Sequence, residues 1–92
     1  MVEMAPVGRG DRLQTAYASS VWGDALIAFN LLSPSEQSCI DSALNDLEWC
    51  PWPEGALNLR DGRVLGVREC GFWIVYERDD LKRSLDVWAI LR

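Results

Sequence analysis

The chain of 92 residues contains no histidine. Histidine is the usual general base near neutral pH and the commonest metal ligand in proteins. Its absence excludes serine triads, cysteine–histidine dyads and the common zinc hydrolase sites. We predict no metal site and no cofactor.

Cysteine is also scarce. Cys39, Cys50 and Cys70 are odd in number and have no C-x-x-C spacing, so they suggest neither a disulfide framework nor a zinc knuckle. We interpret all three as reduced and mostly buried small side chains. The alternative is a reactive or metal-binding role for one of them.

Long apolar runs and linker-like tracts are both missing from the sequence. A membrane-spanning helix needs about 18 consecutive apolar residues, and a signal peptide needs an apolar stretch near the start. We therefore expect a cytoplasmic protein that neither crosses a membrane nor is secreted. Without a Gly/Ser-rich or Pro-rich linker, residues 13–92 are predicted to form one domain, preceded by a flexible segment at residues 1–12.

Basic side chains are fewer than acidic ones: the chain has nine basic and fourteen acidic side chains, and its net charge is -5. Such a chain repels nucleic acid unless arginines cluster locally. A domain this small buries only about 60–65% of its unfolded surface, so a homodimer or a partner that covers apolar surface is expected. The five tryptophans strengthen that expectation.

Two helices are predicted before the strands. Apolar residues recur at three- and four-residue steps over residues 21–32, which predicts the first helix. Ser33-Pro34-Ser35-Glu36 then provides an N-cap, a proline at the first helical position and a glutamate at the third. The second helix should bury Cys39, Ile40, Ala43, Leu44 and Leu47. Residues 13–18 alternate and predict a short first strand.

An antiparallel meander is predicted after the helices. Asp61-Gly62 and Cys70-Gly71 indicate tight turns, and residues 84–92 form the last strand. Strict alternation in that strand places Leu85, Val87, Ala89 and Leu91 on one face and Asp86, Trp88, Ile90 and Arg92 on the other. The predicted fold is α+β in the order β-α-α-β-β-β, an antiparallel sheet packed against a two-helix hairpin, with one sheet face partly free for a partner.

The strand region carries a short recurrent signature. Residues 57–63, 67–77 and 87–92 contain an arginine, a Gly-aromatic turn, an Ile-Val-Tyr strand and a final strand that ends in arginine. With the order of elements, this resembles the RelE/ParE superfamily of type II toxin–antitoxin toxins over residues 14–92. The resemblance implies a cognate antitoxin that wraps the domain. It also implies either mRNA cleavage on the ribosome, as in RelE-like members, or action on DNA gyrase, as in ParE-like members.

The resemblance also supplies candidate catalytic residues. RelE-like toxins use lysines and arginines to activate the ribose 2′-hydroxyl and to stabilise charge on the phosphate. Two family lysines correspond to Val64 and Gly66, and one family arginine corresponds to Trp73. Arg68 and Arg92 match basic family residues, so the resemblance makes them the candidate catalytic pair.

Two functional hypotheses follow. The first is a toxin-like, metal-independent mRNA endonuclease with altered or lost catalysis that uses Arg68 and Arg92 on the ribosome. The alternative is a non-enzymatic binding module of the same fold that acts on gyrase or an antitoxin. Trp73, Trp88 and Ile90 form its candidate partner surface, because exposed tryptophan in an acidic domain anchors protein more often than bases. The arginines can also be plain surface charges paired with carboxylates.

Overall fold

The structure, a computed structural model, describes residues 16–92. Its elements are β1 (Ala18–Val21), α1 (Gly23–Asn30), α2 (Pro34–Trp49), β2 (Leu57–Arg60), β3 (Val64–Glu69), β4 (Phe72–Asp79) and β5 (Ser84–Leu91). The α+β class is confirmed, but four strands follow the helices instead of three. The predicted flexible segment at residues 1–12 lies outside the described residues, as do residues 13–15 of the predicted first strand.

The five strands form one mixed sheet in the order β1-β5-β4-β3-β2. Strands β2 to β5 make an antiparallel meander, whereas β1 pairs in parallel with β5, with Ala18 beside Ser84 and Val21 beside Val87. The prediction of a purely antiparallel sheet is therefore wrong. The prediction failed because the first strand pairs in parallel with the last. This contact joins distant parts of the chain, and no local pattern encodes it.

The start of α2 is set by its own sequence, as predicted. The Ser33 side chain accepts a hydrogen bond from the Glu36 amide at 3.2 Å, and the Glu36 carboxylate accepts one from the Ser33 amide at 3.0 Å. This reciprocal pair satisfies amides that have no partner inside the helix. Four residues of the predicted stripe are buried, namely Ile40, Ala43, Leu44 and Leu47.

Both helices cover the same face of the sheet, which we call the core face. Its buried strand residues are Leu65, Val67, Phe72, Ile74, Tyr76, Leu85, Val87 and Ile90, and α1 adds Ala25 to the core. The Tyr76 hydroxyl donates a hydrogen bond to the carbonyl oxygen of Pro51 at 2.6 Å, so its polar end is satisfied. The opposite face, which we call the open face, has no helix of residues 16–92 packed on it.

A β-bulge in β5 changes which residues face the core. Val75 pairs with Ala89 but Tyr76 pairs with Val87, so Trp88 is an extra residue without a direct partner on β4. A bulge interrupts the two-residue alternation, and side chains beyond it appear on the other face. Ile90 is consequently buried, which makes the predicted assignment of faces wrong beyond Trp88.

The two edges of the sheet differ. On β1, the Ser19 amide and hydroxyl both donate to the Glu48 carboxylate, at 3.0 and 2.7 Å, and the Tyr17 amide donates to the Glu48 carbonyl oxygen at 2.8 Å. The end of α2 thus covers the β1 edge. Strand β2 is exposed along its length and pairs within residues 16–92 with β3.

A disulfide joins Cys39 of α2 to Cys70 in the β3–β4 turn, with 6.2 Å between the Cα atoms. The prediction of reduced cysteines is therefore wrong for these two, because the fold brings together residues that lie 31 positions apart in sequence. Cys50 is an exposed free thiol. Disulfides are rare where thiols are kept reduced, so this pairing counts against the expected cytoplasmic location.

Neither α1 nor α2 is long and apolar enough to cross a bilayer.

Removal of the disulfide should destabilise the chain. The Cys39→Ala/Cys70→Ala variant should lose about 3–4 kcal/mol of unfolding free energy, because the cross-link restricts a long loop in the unfolded chain. Urea denaturation of the variant and of the oxidised wild type measures the difference. Cys50→Ala, which removes the exposed thiol, is the matched control and should change little; equal stability of the double variant and the wild type would contradict this account.

Candidate binding surface on the open sheet face

A row of small and apolar residues crosses the open face. The strand register places Leu57, Gly66, Val75 and Ala89 side by side on β2, β3, β4 and β5. Gly66 leaves room for a neighbour: a Cβ added there would lie 3.3 Å from Cδ1 of Leu59. The centre of the open face is therefore a shallow apolar floor.

Aromatic side chains border this floor. The Arg68 guanidinium carbon lies 5.6 Å from the centroid of the Trp73 ring, a cation–π contact. Trp22 and Trp88 stack with 6.1 Å between ring centroids, and Trp22 Nε1 donates to an Asp86 carboxylate oxygen at 2.9 Å. The stack and the hydrogen bond hold the two indoles in place, as suits rigid anchors for a partner.

The apolar side chains of the open face remain accessible to solvent. Five of them are each between 47 and 55% exposed, namely Trp22, Leu57, Leu59, Trp88 and Leu91. Contiguous exposed apolar surface is uncommon on monomeric domains and marks sites of interaction. The open face is therefore the candidate functional site.

The structure does not bring the two predicted catalytic residues together. Arg68 lies on the open face. Arg92 lies on the core-face side, where its guanidinium reaches the Glu36 carboxylate at 3.2 Å and its guanidinium carbon is 4.5 Å from the centroid of the Phe72 ring. The two guanidinium groups therefore lie on opposite sides of the sheet.

The predicted partner surface is found in part. Trp73 and Trp88 lie on the open face, whereas Ile90 packs in the core because of the bulge at Trp88. Sequence reasoning missed Leu57 and Leu91. The alternation around Leu57 gave a usable strand signal, but the position of Leu91 depends on the bulge, which the sequence pattern does not reveal.

The other arginines are dispersed. Arg63 pairs with the Glu77 carboxylate at 2.9 Å. The Arg78 Nε atom lies 3.3 Å from an Asp80 oxygen, but no hydrogen bond is aligned there. Among residues 16–92, no three acidic or cysteine side chains meet in an arrangement that could hold a metal ion.

Two tyrosines have pKa values displaced from the ordinary value. Burial raises the pKa of Tyr76 to about 12. A hydrogen bond donated to Asp80 raises the pKa of Tyr17. Both hydroxyls therefore keep their protons at neutral pH, and neither is poised to act as a general base.

Comparison of the chain with family models, with curated proteins and with solved structures found no match.

Gly66 should be needed for the space that it leaves to neighbouring side chains and not for its backbone conformation. Gly66→Ala should alter the unfolding free energy by less than about 1 kcal/mol, because the nearest atom belongs to the exposed Leu59 side chain, which can move. Gly71→Ala is the matched control: its φ of +81° strains an alanine and should cost about 1–2 kcal/mol. Urea denaturation measures both, and equal losses would contradict the packing role.

Proposed function

We propose that this chain is a toxin-like member of a type II toxin–antitoxin system that acts as a non-enzymatic binding module. The observation that carries the proposal is the half-exposed apolar surface of the open face, bordered by Trp73 and the Trp22–Trp88 stack. The resemblance to the RelE/ParE superfamily supplies the class of partner. The partner is DNA gyrase or a cognate antitoxin.

The positions that depart from the family pattern support binding over cleavage. Val64, Gly66 and Trp73 stand where RelE-like toxins have two lysines and an arginine, and all three lie on the open face. The replacements exchange a cationic surface for an apolar one. Apolar surface suits contact with a protein, whereas RNA cleavage needs groups that stabilise negative charge.

The position of the arginines supports the same conclusion. Arg68 and Arg92 lie on opposite faces of the sheet, and Arg92 is paired with Glu36. Electrostatic stabilisation by several converging groups is therefore absent from this pair.

Loss of open-face apolar groups should abolish toxicity. Inducible expression of the wild type in a bacterial host should arrest growth, and Leu57→Gln/Leu91→Gln should relieve the arrest because it removes partner contacts. Both leucines are about half exposed, so folding should be retained. Growth curves and circular dichroism are the measurements.

Ile27→Gln/Leu31→Gln provides the matched control, since it removes two exposed apolar side chains from α1 instead of the open face. This variant should arrest growth like the wild type. A gyrase supercoiling assay with the purified chain then separates the two partners: inhibition identifies gyrase. Equal effects of the two double variants, or no arrest by the wild type, would overturn the proposal.

Ribosome-dependent mRNA cleavage is the second candidate function. It is favoured by the contact between Arg68 and Trp73, because an exposed guanidinium beside an indole can hold a phosphate next to a stacked base. This arrangement leaves Arg92 without a role in catalysis.

Primer extension on programmed ribosomes tests the second candidate. We expect no cuts from the wild type, because the open face lacks the cluster of cationic groups that this chemistry requires. Arg68→Ala and Arg92→Ala serve as the paired variants. Cuts that disappear in Arg68→Ala and persist in Arg92→Ala would replace the binding module with an enzyme that uses Arg68.

A further inference from the structure

Within residues 16–92, two arginines on the open face, Arg60 and Arg68, have no carboxylate partner. Arg60 is paired in register with Val64, and Arg68 lies on the same face of β3 as Val64. Arg63, Arg78 and Arg92 are each paired with a carboxylate, whereas no ion pair within residues 16–92 involves Arg60 or Arg68. The guanidinium groups of Arg60 and Arg68 are therefore not engaged in ion pairs within the described residues.

The acidic groups on the same face are already engaged. Glu77 accepts a hydrogen bond from Arg63 at 2.9 Å, and Asp86 accepts one from Trp22 at 2.9 Å. A basic partner would have to break these contacts. An acidic partner would meet the guanidinium groups of Arg60 and Arg68, neither of which is ion-paired within residues 16–92.

The distribution of charge along the chain reinforces this difference. Residues 22–59, which include both helices, contain six acidic side chains and no lysine or arginine. Residues 60–92 contain seven basic and six acidic side chains, which leaves one net positive charge. The helical layer therefore repels an acidic segment more strongly than the strand region does.

The spacing of the two arginines defines the spacing of the groups they would bind. Arg60 lies beside Val64, and Arg68 is four positions further along β3, which corresponds to about 13 Å at 3.3 Å per residue. Residues seven positions apart on an α-helix lie on the same side and about 10.5 Å apart. Flexible side chains span the remaining difference.

We propose that the open face binds an acidic amphipathic helix of a partner protein. The helix carries carboxylates at positions i and i+7, which pair with Arg60 and Arg68, and apolar residues at i+3 and i+4, which contact Leu57, Leu59 and Trp73. The inference rests on the proposed binding function and specifies the chemistry of the segment that is bound.

Designed peptides test the proposal with the purified, oxidised chain. The probe is an alanine-based helical peptide with two glutamates seven positions apart and leucines at the third and fourth positions between them. The control peptide has lysines in place of the glutamates. Isothermal titration calorimetry should show about tenfold tighter binding of the glutamate peptide, because two charge pairs change from repulsive to attractive.

Charge reversal on the protein should reverse this preference. Arg60→Glu/Arg68→Glu should bind the lysine peptide about tenfold more tightly than the glutamate peptide. Lys82→Glu, in the turn between β4 and β5, is the matched control and should keep the preference for the glutamate peptide. A reversal that is specific to the arginine pair cannot arise from unfolding.

Three outcomes would overturn the inference: equal affinity for both peptides, no binding of either, or an unchanged preference in the arginine double variant. A fourth contrary outcome is a dimer, measured by sedimentation equilibrium, in which a second copy of the chain occupies the open face and excludes the peptide. Failure of the helix-binding inference is distinguishable from failure of the proposed function. If only the helix-binding inference fails, Leu57→Gln/Leu91→Gln still relieves growth arrest although the peptides show no charge preference.

Discussion

The connection between β1 and β2 governs the architecture. These strands lie at opposite edges of the sheet, so the chain between them must cross one of its faces. Both helices belong to that crossing, and the remaining strands follow one another through short turns that do not cross again. All helical packing within the described chain is therefore on one side. The uncovered, apolar open face is the direct result of this route.

Helix α2 is attached to the sheet at three places along its length. Glu36 in its first turn pairs with Arg92 after β5, Cys39 is bonded to Cys70 in the β3–β4 turn, and Glu48 in its last turn holds Ser19 of β1. A helix of 16 residues is about 24 Å long, enough to pass over several strands. The three attachments hold α2 against the core face of the sheet. None of them involves a side chain of the open face.

The sequence predicted the features that depend on neighbouring residues. The Ser33–Glu36 capping box and the Cys70-Gly71 turn follow from local hydrogen bonding and backbone preference, and both are present. The pairing of β1 with β5 and the Cys39–Cys70 bond depend on residues distant in sequence, which a local pattern does not relate. The bulge at Trp88 was not predicted either. It changes the candidate site because one unpaired residue in β5 places Ile90 in the core. The resemblance predicts Arg68 and Arg92 as a catalytic pair, whereas the structure places these two arginines on opposite faces of the sheet.

The unequal edges of the sheet limit how copies of the chain can join through their strands. A protein with two free edges can add copies at both ends without limit, as fibrils do. Here the Glu48 carboxylate accepts a hydrogen bond from the Ser19 amide at the β1 edge, whereas β2 is exposed along its length. Within residues 16–92, strand-to-strand association through β2 would therefore join two copies and leave their partly covered β1 strands at the two ends of the combined sheet.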